Sequence, residues 1–224
     1  MARHKQHNAF LGTSFLDLLA CALGGVLVLL IITMDQSRQQ VSALEEDIKG
    51  MERHVSAVVG LKGEFEGVVF VFDTSGSMSW DGRFAEYQQL LKQWLMYLPL
   101  ERFNVIDFDS GVKPWRPGVL VTATAAEREA ACQFVEGFTA GGGTNTLGAL
   151  QAAFAMPGVD TIILMSDGRP SGPMADIHNW LKNANSSGRI IINTVAMGTY
   201  FDEETFGPFM QKIASDHGGS FIGR

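Results

Sequence analysis

Cysteine and basic residues are both scarce in this sequence of 224 residues. There are two cysteines, Cys21 inside a long apolar run and Cys132 far downstream, so they cannot form a disulfide framework. Lys and Arg number 17 against 24 Asp and Glu, and the formal net charge is −7. A nucleic-acid-binding surface needs a basic face. We therefore expect no nucleic-acid partner.

The sequence also lacks a recognisable catalytic constellation. Asp73 follows an apolar run, like the phosphoryl-accepting aspartate of D-x-D-x-T phosphatases, but Ser75 stands where that motif has its second aspartate. The glycine-rich residues 141–144 are not accompanied by the lysine of a P-loop. His178 and His217 have no acid or nucleophile at an interpretable spacing. We therefore expect that the protein is not an enzyme.

The longest apolar run lies near the amino terminus, at Phe15–Met34, and contains a single charged residue, Asp17. Its length of about 20 residues is that of a membrane-spanning helix. Basic residues precede it, as they do in a secretory signal peptide. However, the run is longer than the apolar part of a signal, and no small-x-small cleavage site follows it. We therefore expect a retained transmembrane helix over residues 15–34, with a basic cytoplasmic segment at residues 1–14.

Residues 35–66 are expected to form a helical linker. Apolar residues recur there at alternating steps of three and four, which is the spacing of a heptad seam: Val41, Leu44, Ile48, Met51, Val55 and Val58. Two interpretations remain open, an amphipathic helix packed on the following domain and a parallel coiled coil that pairs two copies of the chain. Gly60 and Gly63 end the pattern and predict a hinge.

From residue 67 to residue 224 the pattern predicts an α/β domain with a doubly wound, mostly parallel sheet, as in Rossmann-like folds. Short apolar runs alternate with amphipathic segments. The predicted strands are Val68–Phe72, Phe103–Phe108, Val119–Thr122, Thr161–Met165, Ile190–Ala196 and Ser220–Ile222. The predicted helices are Arg83–Leu98, Ala125–Phe138, Leu147–Ala155, Ala175–Asn185 and residues 203–215. Folds of this class bind ligands at the carboxyl ends of their strands.

Three polar motifs fall at those carboxyl ends. Asp73, Ser75 and Ser77 directly follow the first strand, Thr144 lies in a glycine-rich loop before a helix, and Asp167 directly follows the strand Thr161–Met165. This set resembles the von Willebrand factor A domain with its metal-ion-dependent adhesion site, whose pattern is D-x-S-x-S, a separate Thr and a separate Asp. The resemblance covers residues 66–224. The alternative is structural: an Asp–Ser turn that caps a helix, and a core aspartate at position 167.

The resemblance implies a Mg²⁺ or Mn²⁺ ion held by Asp73, Ser75, Ser77, Thr144 and Asp167. Oxygen donors of this kind are the ligands that Mg²⁺ prefers. With few carboxylates bound directly, such an ion stays electrophilic toward an outside acid. In the family, an Asp or Glu of a partner protein completes the coordination. We therefore expect a protein ligand that presents an acidic residue.

Asp17 carries a second resemblance. An amino-terminal membrane helix with a basic start, one Asp and a long apolar tail is similar to the flagellar stator B subunit and to the ExbD and TolR subunits. In those proteins two such helices lie inside a pentameric ring of multi-pass membrane subunits, and the Asp carries the translocated proton. Burial in lipid would raise the pKa of such a carboxyl. The alternative is that Asp17 lies at the interface, solvated or capping the helix with Thr13 and Ser14.

Two functions follow from these resemblances. The first is a homodimeric B-type subunit of a proton-driven motor, single-pass in the bacterial inner membrane, in which Asp17 titrates and a periplasmic metal-bearing domain grips a protein partner. The alternative is a membrane-anchored adhesion or scaffold protein whose helix is only an anchor. Both share the fold and the metal site, and they differ in the role of Asp17.

Overall fold

The computed structural model describes residues 20–36, 38, 60–198 and 206–223, which belong to two compact units, Met1–Met51 and Glu52–Arg224. In the first unit, residues 20–36 form helix α1, whose side chains are exposed. No helix within the described ranges is both long enough and apolar enough to cross a membrane. Asp17 and residues 39–59, most of the predicted linker, lie outside the described residues, so the predictions made for them stay predictions.

The second unit alternates strands and helices along the chain, as the sequence predicts. The strands are β1 (Gly67–Asp73), β2 (Arg102–Phe108), β3 (Val112–Pro114), β4 (Val121–Thr122), β5 (Thr161–Ser166), β6 (Ile191–Ala196) and β7 (Gly218–Gly223). The helices are α2 (Phe84–Tyr97), α3 (Ala125–Glu136), α4 (Thr146–Phe154), α5 (Met174–Ala184) and α6 (Phe206–Asp216), with a short 3₁₀ helix at Gly76–Ser79.

The seven strands form one sheet in the order β3-β2-β1-β5-β6-β7, and β4 pairs separately with the start of β2. Strands β1, β2, β5, β6 and β7 are parallel, whereas β3 and β4 are antiparallel to β2. The prediction of a mostly parallel α/β sheet is therefore confirmed. The strand β3 was not predicted, because three residues with a proline carry no usable apolar pattern. The strand predicted at Val119–Thr122 is antiparallel, as expected of an edge, but is only two residues long.

Helices cover both faces of the sheet, and the alternation of side chains along β1 divides the core between them. Val68, Phe70 and Phe72 face a core that is completed by α2 and α3, while Val69 and Val71 face the core formed with α4, α5 and α6. Every residue of β1 is buried. The central strand therefore ends at the carboxyl edge of the sheet, with its last residue, Asp73, buried beside β2 and β5.

Candidate metal site at the carboxyl edge of the sheet

Asp73 is the last residue of β1 and is fully buried. The backbone N–H of Ser75 donates to Asp73 Oδ1 at 2.8 Å, and the Ser166 hydroxyl donates to Asp73 Oδ2 at 2.5 Å. Because Ser166 ends the neighbouring strand β5, the second hydrogen bond joins the ends of the two central strands. The carboxylate is thus held in one orientation at the edge of the sheet.

The environment of Asp73 opposes its negative charge. Burial raises the pKa of Asp73 to about 7, although hydrogen bonds from Ser166 and Ser75 act in the opposite direction, and the nearby charge of Asp167 raises it further. A buried carboxylate is costly unless a positive charge compensates for it. A cation at this position would supply that compensation.

Ser75 and Ser77 continue from Asp73 into the short 3₁₀ helix. Their hydroxyl oxygens lie 3.2 Å apart, so both are directed to the same place. Ser75 is buried and Ser77 is partly buried. The three residues of the D-x-S-x-S motif therefore form one oxygen-rich turn, not a side-chain cap on a helix, since Ser75 makes no side-chain capping hydrogen bond.

The glycine-rich loop that carries Thr144 is tied to this turn through the backbone. Gly141 N–H donates to Thr74 O at 2.8 Å, and Gly76 N–H donates to Gly142 O at 3.3 Å. Gly142 has a φ of +72°, which favours glycine. These contacts tie residues 141 and 142, just before Thr144, to the D-x-S-x-S turn, while Thr144 itself lines a separate pocket with Ser110 and Ser171. Thr144 is buried as a residue, but its hydroxyl forms no hydrogen bond with any residue that the structure describes. Because no buried side-chain oxygen among those residues lacks a partner, this hydroxyl reaches solvent.

Asp167 follows the end of β5 and is also buried. Its Oδ1 accepts a hydrogen bond from the backbone N–H of Arg169 at 3.1 Å, and its Oδ2 lies 3.8 Å from Arg169 Nε. Ser77 and Asp167 line the same small pocket. Gly168 between Asp167 and Arg169 has a φ of +81°, and a Cβ there would lie 3.1 Å from the backbone oxygen of Phe206.

The structure thus brings the five predicted site residues to one edge of the sheet, on three loops that contact one another. Two carboxylates and three hydroxyls are hard oxygen donors, which suit Mg²⁺ or Mn²⁺. No group of three or more His, Cys, Asp or Glu that could hold a metal occurs among the described residues. The candidate site differs from such groups because hydroxyls supply most of its donors.

Two supporting side chains were not predicted. Ser166 orients Asp73, and the Ser171 hydroxyl accepts a hydrogen bond from Thr144 N–H at 2.7 Å. A serine at a strand end or in a loop is too common to stand out in a sequence. For Ser166, the one available signal was its place directly before Asp167.

Comparison with known proteins identifies the domain. The profile of the family described as "von Willebrand factor type A domain" matches residues 66–221. The chain belongs to this family. The mouse protein inter-alpha-trypsin inhibitor heavy chain H2 is 28% identical in an alignment of length 203 that covers 85% of this chain and 21% of the relative. This chain therefore matches about a fifth of the length of that relative.

Solved structures share the fold of this von Willebrand factor A domain. One is titled "von Willebrand factor type A from Catenulispora acidiphila", with a TM-score of 0.62 and 22% identity over 71% of this chain and 38% of that one. Another is the manganese-loaded TRAP protein of Plasmodium vivax, with a TM-score of 0.52 and 18% identity over 69% of this chain and 65% of that one. The family assignment favours the adhesion or scaffold alternative over the motor hypothesis.

Proposed function

We propose that this protein is a non-enzymatic binding protein whose von Willebrand factor A domain captures an extracytoplasmic protein through a bound Mg²⁺ or Mn²⁺ ion. The observation that supports the proposal is a fully buried carboxylate, Asp73, on one of three loops that contact one another at the carboxyl edge of the sheet and that also carry Ser75, Ser77, Thr144 and Asp167. The manganese in the TRAP structure, a protein with the same fold, agrees with the choice of ion.

Each side chain has a distinct part in this proposal. Asp73 and Asp167 supply negative charge, and Ser75, Ser77 and Thr144 supply neutral oxygens. When bound, the ion provides an electrophilic position that accepts an outside carboxylate. Ser166 keeps Asp73 in place through its hydrogen bond, and Ser171 keeps the Thr144 loop in place, so that the donors are arranged before the ion arrives.

The binding of the ion is tested by titrating the purified full-length chain with Mn²⁺ or Mg²⁺ and recording the heat of binding and the melting temperature. We expect saturable binding, a rise in melting temperature that EDTA reverses, and loss of both in Asp73→Asn. Asp81→Asn, which changes another carboxylate of the same domain near the pocket, serves as the control. Equal metal affinity in Asp73→Asn and in the wild type would contradict the proposal.

We further propose that the amino-terminal apolar segment anchors the protein in the bacterial inner membrane, with the domain on the periplasmic side, as the charge distribution of the sequence suggests. The role of the helix is then to tether the domain. Protease treatment of intact spheroplasts is the measurement: the domain should be cleaved from outside while the amino terminus stays protected.

The motor hypothesis rests on the amino-terminal apolar run with its basic start and its single acid, Asp17, and it differs from the anchor role only in what Asp17 does. It is tested by Asp17→Asn, which should abolish the function in cells without reducing membrane insertion if the residue carries protons. Purification in mild detergent should then also yield a multi-pass membrane subunit in fivefold ratio to a dimer of this chain. Full function of Asp17→Asn would contradict the motor hypothesis and support the role of the helix as an anchor.

A further inference from the structure

A polar pocket lies at the amino edge of the sheet, opposite the candidate metal site. Its volume is about 610 Å³, and it is formed by the carboxyl-terminal parts of helices α5 and α6 and by the loop between α5 and β6. Because β6 begins after that loop and β7 begins directly after α6, the pocket belongs to the edge at which these parallel strands start. Hydrogen-bond donors line it: His178, Asn179, Lys182, Ser186, Lys212 and His217.

Two helices present charged and titratable side chains to this pocket. His178 and Lys182 are four residues apart on α5, and Lys212 and Asp216 are four residues apart on α6, so each pair shares one face of its helix. Lys212 Nζ lies 2.9 Å from Asp216 Oδ2, and these two opposite charges compensate each other. Lys182 is exposed and forms no ion pair with a residue that the structure describes.

The surroundings of Lys182 leave positive charge in excess. Of the described residues that line the pocket, Asp216 is the one acid, and Lys212 pairs with it. The carbonyl ends of α5 and α6 each carry about half an elementary negative charge. Against these stand Lys182 and also Arg189, which is exposed directly after Gly188 of the pocket and pairs with no described acid. An anion is therefore the ligand that complements the charge of this pocket.

Two histidines in the pocket can add to this positive charge. Burial lowers the pKa of His178, the charge of Lys212 lowers it further, and that of Asp216 raises it. Burial also lowers the pKa of His217, where Asp216 acts in the opposite direction and His178 in the same one. A nearby anion favours the charged form of an imidazole. A bound anion would therefore raise both pKa values, and a ring that takes up a proton would strengthen the binding.

We infer that this pocket binds a phosphate dianion, either free or as the end group of a monoester, between Lys182 of α5 and Lys212 of α6. Phosphate offers three or four oxygens in a tetrahedral arrangement, which donors on two helices can reach at once, whereas a carboxylate offers two. An ammonium group has three N–H donors, so Lys212 can bind the anion without leaving Asp216. The inference does not depend on the proposed metal site, which lies at the other edge of the sheet.

The test follows the imidazole signals of His178 and His217 by NMR in the purified full-length chain without divalent metal. Inorganic phosphate replaces chloride at constant ionic strength and about pH 7. We expect saturable shifts of both signals, and a higher pKa of both rings in saturating phosphate than in chloride. Lys182→Gln should weaken the binding about tenfold, because a charge-assisted hydrogen bond is lost. This side chain is exposed, so its substitution should leave the melting temperature unchanged.

Lys92→Gln is the matched control. It removes one positive charge from the same domain, but Lys92 pairs with Glu136 at 3.0 Å, on helices α2 and α3, and does not line the pocket. Phosphate affinity should be the same in Lys92→Gln and in the wild type. If Lys92→Gln weakens the binding as much as Lys182→Gln does, the effect is that of net charge and the pocket is not the site.

Two other anions identify the chemistry. Dimethyl phosphate, a diester with a single charge, should bind about tenfold more weakly than inorganic phosphate, and equal affinity for the two would contradict a dianion site. Methyl phosphate distinguishes the two sources: equal or tighter binding than inorganic phosphate indicates the end group of a monoester, and much weaker binding indicates free phosphate. Shifts that rise linearly with phosphate and never saturate would overturn the inference.

Discussion

The two ends of the sheet use polar side chains in opposite ways. Toward the amino end, the side chains of Asp160, of Asn185 and of Asn193, which lies two residues into β6, bind the backbone of neighbouring segments; they are here called the amino-end polar residues. Asn193, for example, accepts from Lys62 N–H at 2.9 Å and Ser220 N–H at 3.0 Å and donates to Lys62 O at 2.7 Å. At the carboxyl end, by contrast, the side-chain hydroxyl oxygens form few hydrogen bonds with the backbone; these are the hydroxyls of Ser75, Ser77 and Thr144. Satisfied polar groups stabilise a fold, whereas available oxygens provide a binding site.

The largest contrast is expected between two aspartates at opposite ends of neighbouring strands. Asp73→Ala should lower the Mn²⁺ affinity at least about 100-fold, because it removes a charged ligand, and should destabilise the metal-free domain less than Asp160→Ala does, because the burial cost of this carboxylate offsets its hydrogen bonds with Ser75 and Ser166. Asp160→Ala should do the reverse. Asp160 accepts from Gly67 N–H at 2.5 Å and from the Thr161 hydroxyl at 2.6 Å, so its loss should cost about 2 kcal/mol of unfolding free energy.

Calorimetric titration and urea unfolding of both aspartate variants measure these two quantities. The proposed difference between the two ends of the sheet would be contradicted if Asp160→Ala lowered the metal affinity more than Asp73→Ala does.

Asn193→Leu should destabilise the domain about as much as Asp160→Ala does. Asn193 is fully buried, and removing its amide leaves the N–H groups of Lys62 and Ser220 without their acceptor, a cost of about 2 kcal/mol or more. Metal affinity should stay within twofold of the wild type. Urea unfolding detects the first effect and calorimetry the second; an unchanged midpoint would show that these hydrogen bonds contribute nothing net.

A smaller difference, in metal affinity and in stability, is expected between substitutions of two buried threonines. Thr144→Val should reduce Mn²⁺ affinity about tenfold with little change in stability, since its hydroxyl forms no hydrogen bond with the described residues. Thr194→Val should leave affinity unchanged and lower stability by about 1 kcal/mol, because the Thr194 hydroxyl donates to Met210 O at 2.9 Å. Threonine and valine have nearly the same shape, so each substitution removes a hydroxyl and leaves the packing almost unchanged. Identical behaviour of the two variants would remove the distinction between binding and structural hydroxyls.

The sequence predicts the polar residues at the carboxyl end of the sheet better than those at the amino end. The candidate site could be proposed because its residues match the D-x-S-x-S, Thr and Asp pattern of the von Willebrand factor A domain, and because that match falls beside strands and helices whose apolar pattern is strong: Asp73, Ser75, Ser77, Thr144 and Asp167. The amino-end polar residues gave no signal, because an Asn such as Asn193 inside an apolar run carries no information about the distant backbone it binds, 131 positions away in the case of Lys62.

The strand boundaries illustrate the same limit. The long strand β1 was located within one residue at each end because five consecutive apolar residues require burial on both faces. The strand β3 was not found because its three residues are held by pairing with β2 and not by their own composition. The apolar pattern of a segment predicts a strand when the burial of its own side chains determines that strand. A strand that is held by pairing with a distant segment leaves no such pattern.

The smallest expected effect concerns pH at the amino end. The Nδ1 atom of His217 lies 3.0 Å from the amide nitrogen of Asn185, which also donates to Ile190 O at 2.7 Å, so the ring accepts a hydrogen bond in its neutral form. Burial lowers the pKa of His217, the charge of His178 lowers it slightly, and that of Asp216 raises it. The folded protein therefore binds fewer protons here than the unfolded chain, and the stability contribution present above pH 6.5 is lost as pH falls below it.

His217→Gln removes this titration while an amide oxygen can still accept from Asn185. The melting temperature of the wild type should fall by a few degrees more than that of His217→Gln between pH 7.5 and pH 5. Asp73, whose pKa is raised, acts in the opposite direction over part of this range, since the folded state then binds the extra proton. Its contribution is the same in both proteins and cancels in the difference. An identical fall in the two proteins would mean that the Asn185–His217 hydrogen bond does not depend on the charge of the ring, and that the polar residues at this end are insensitive to pH.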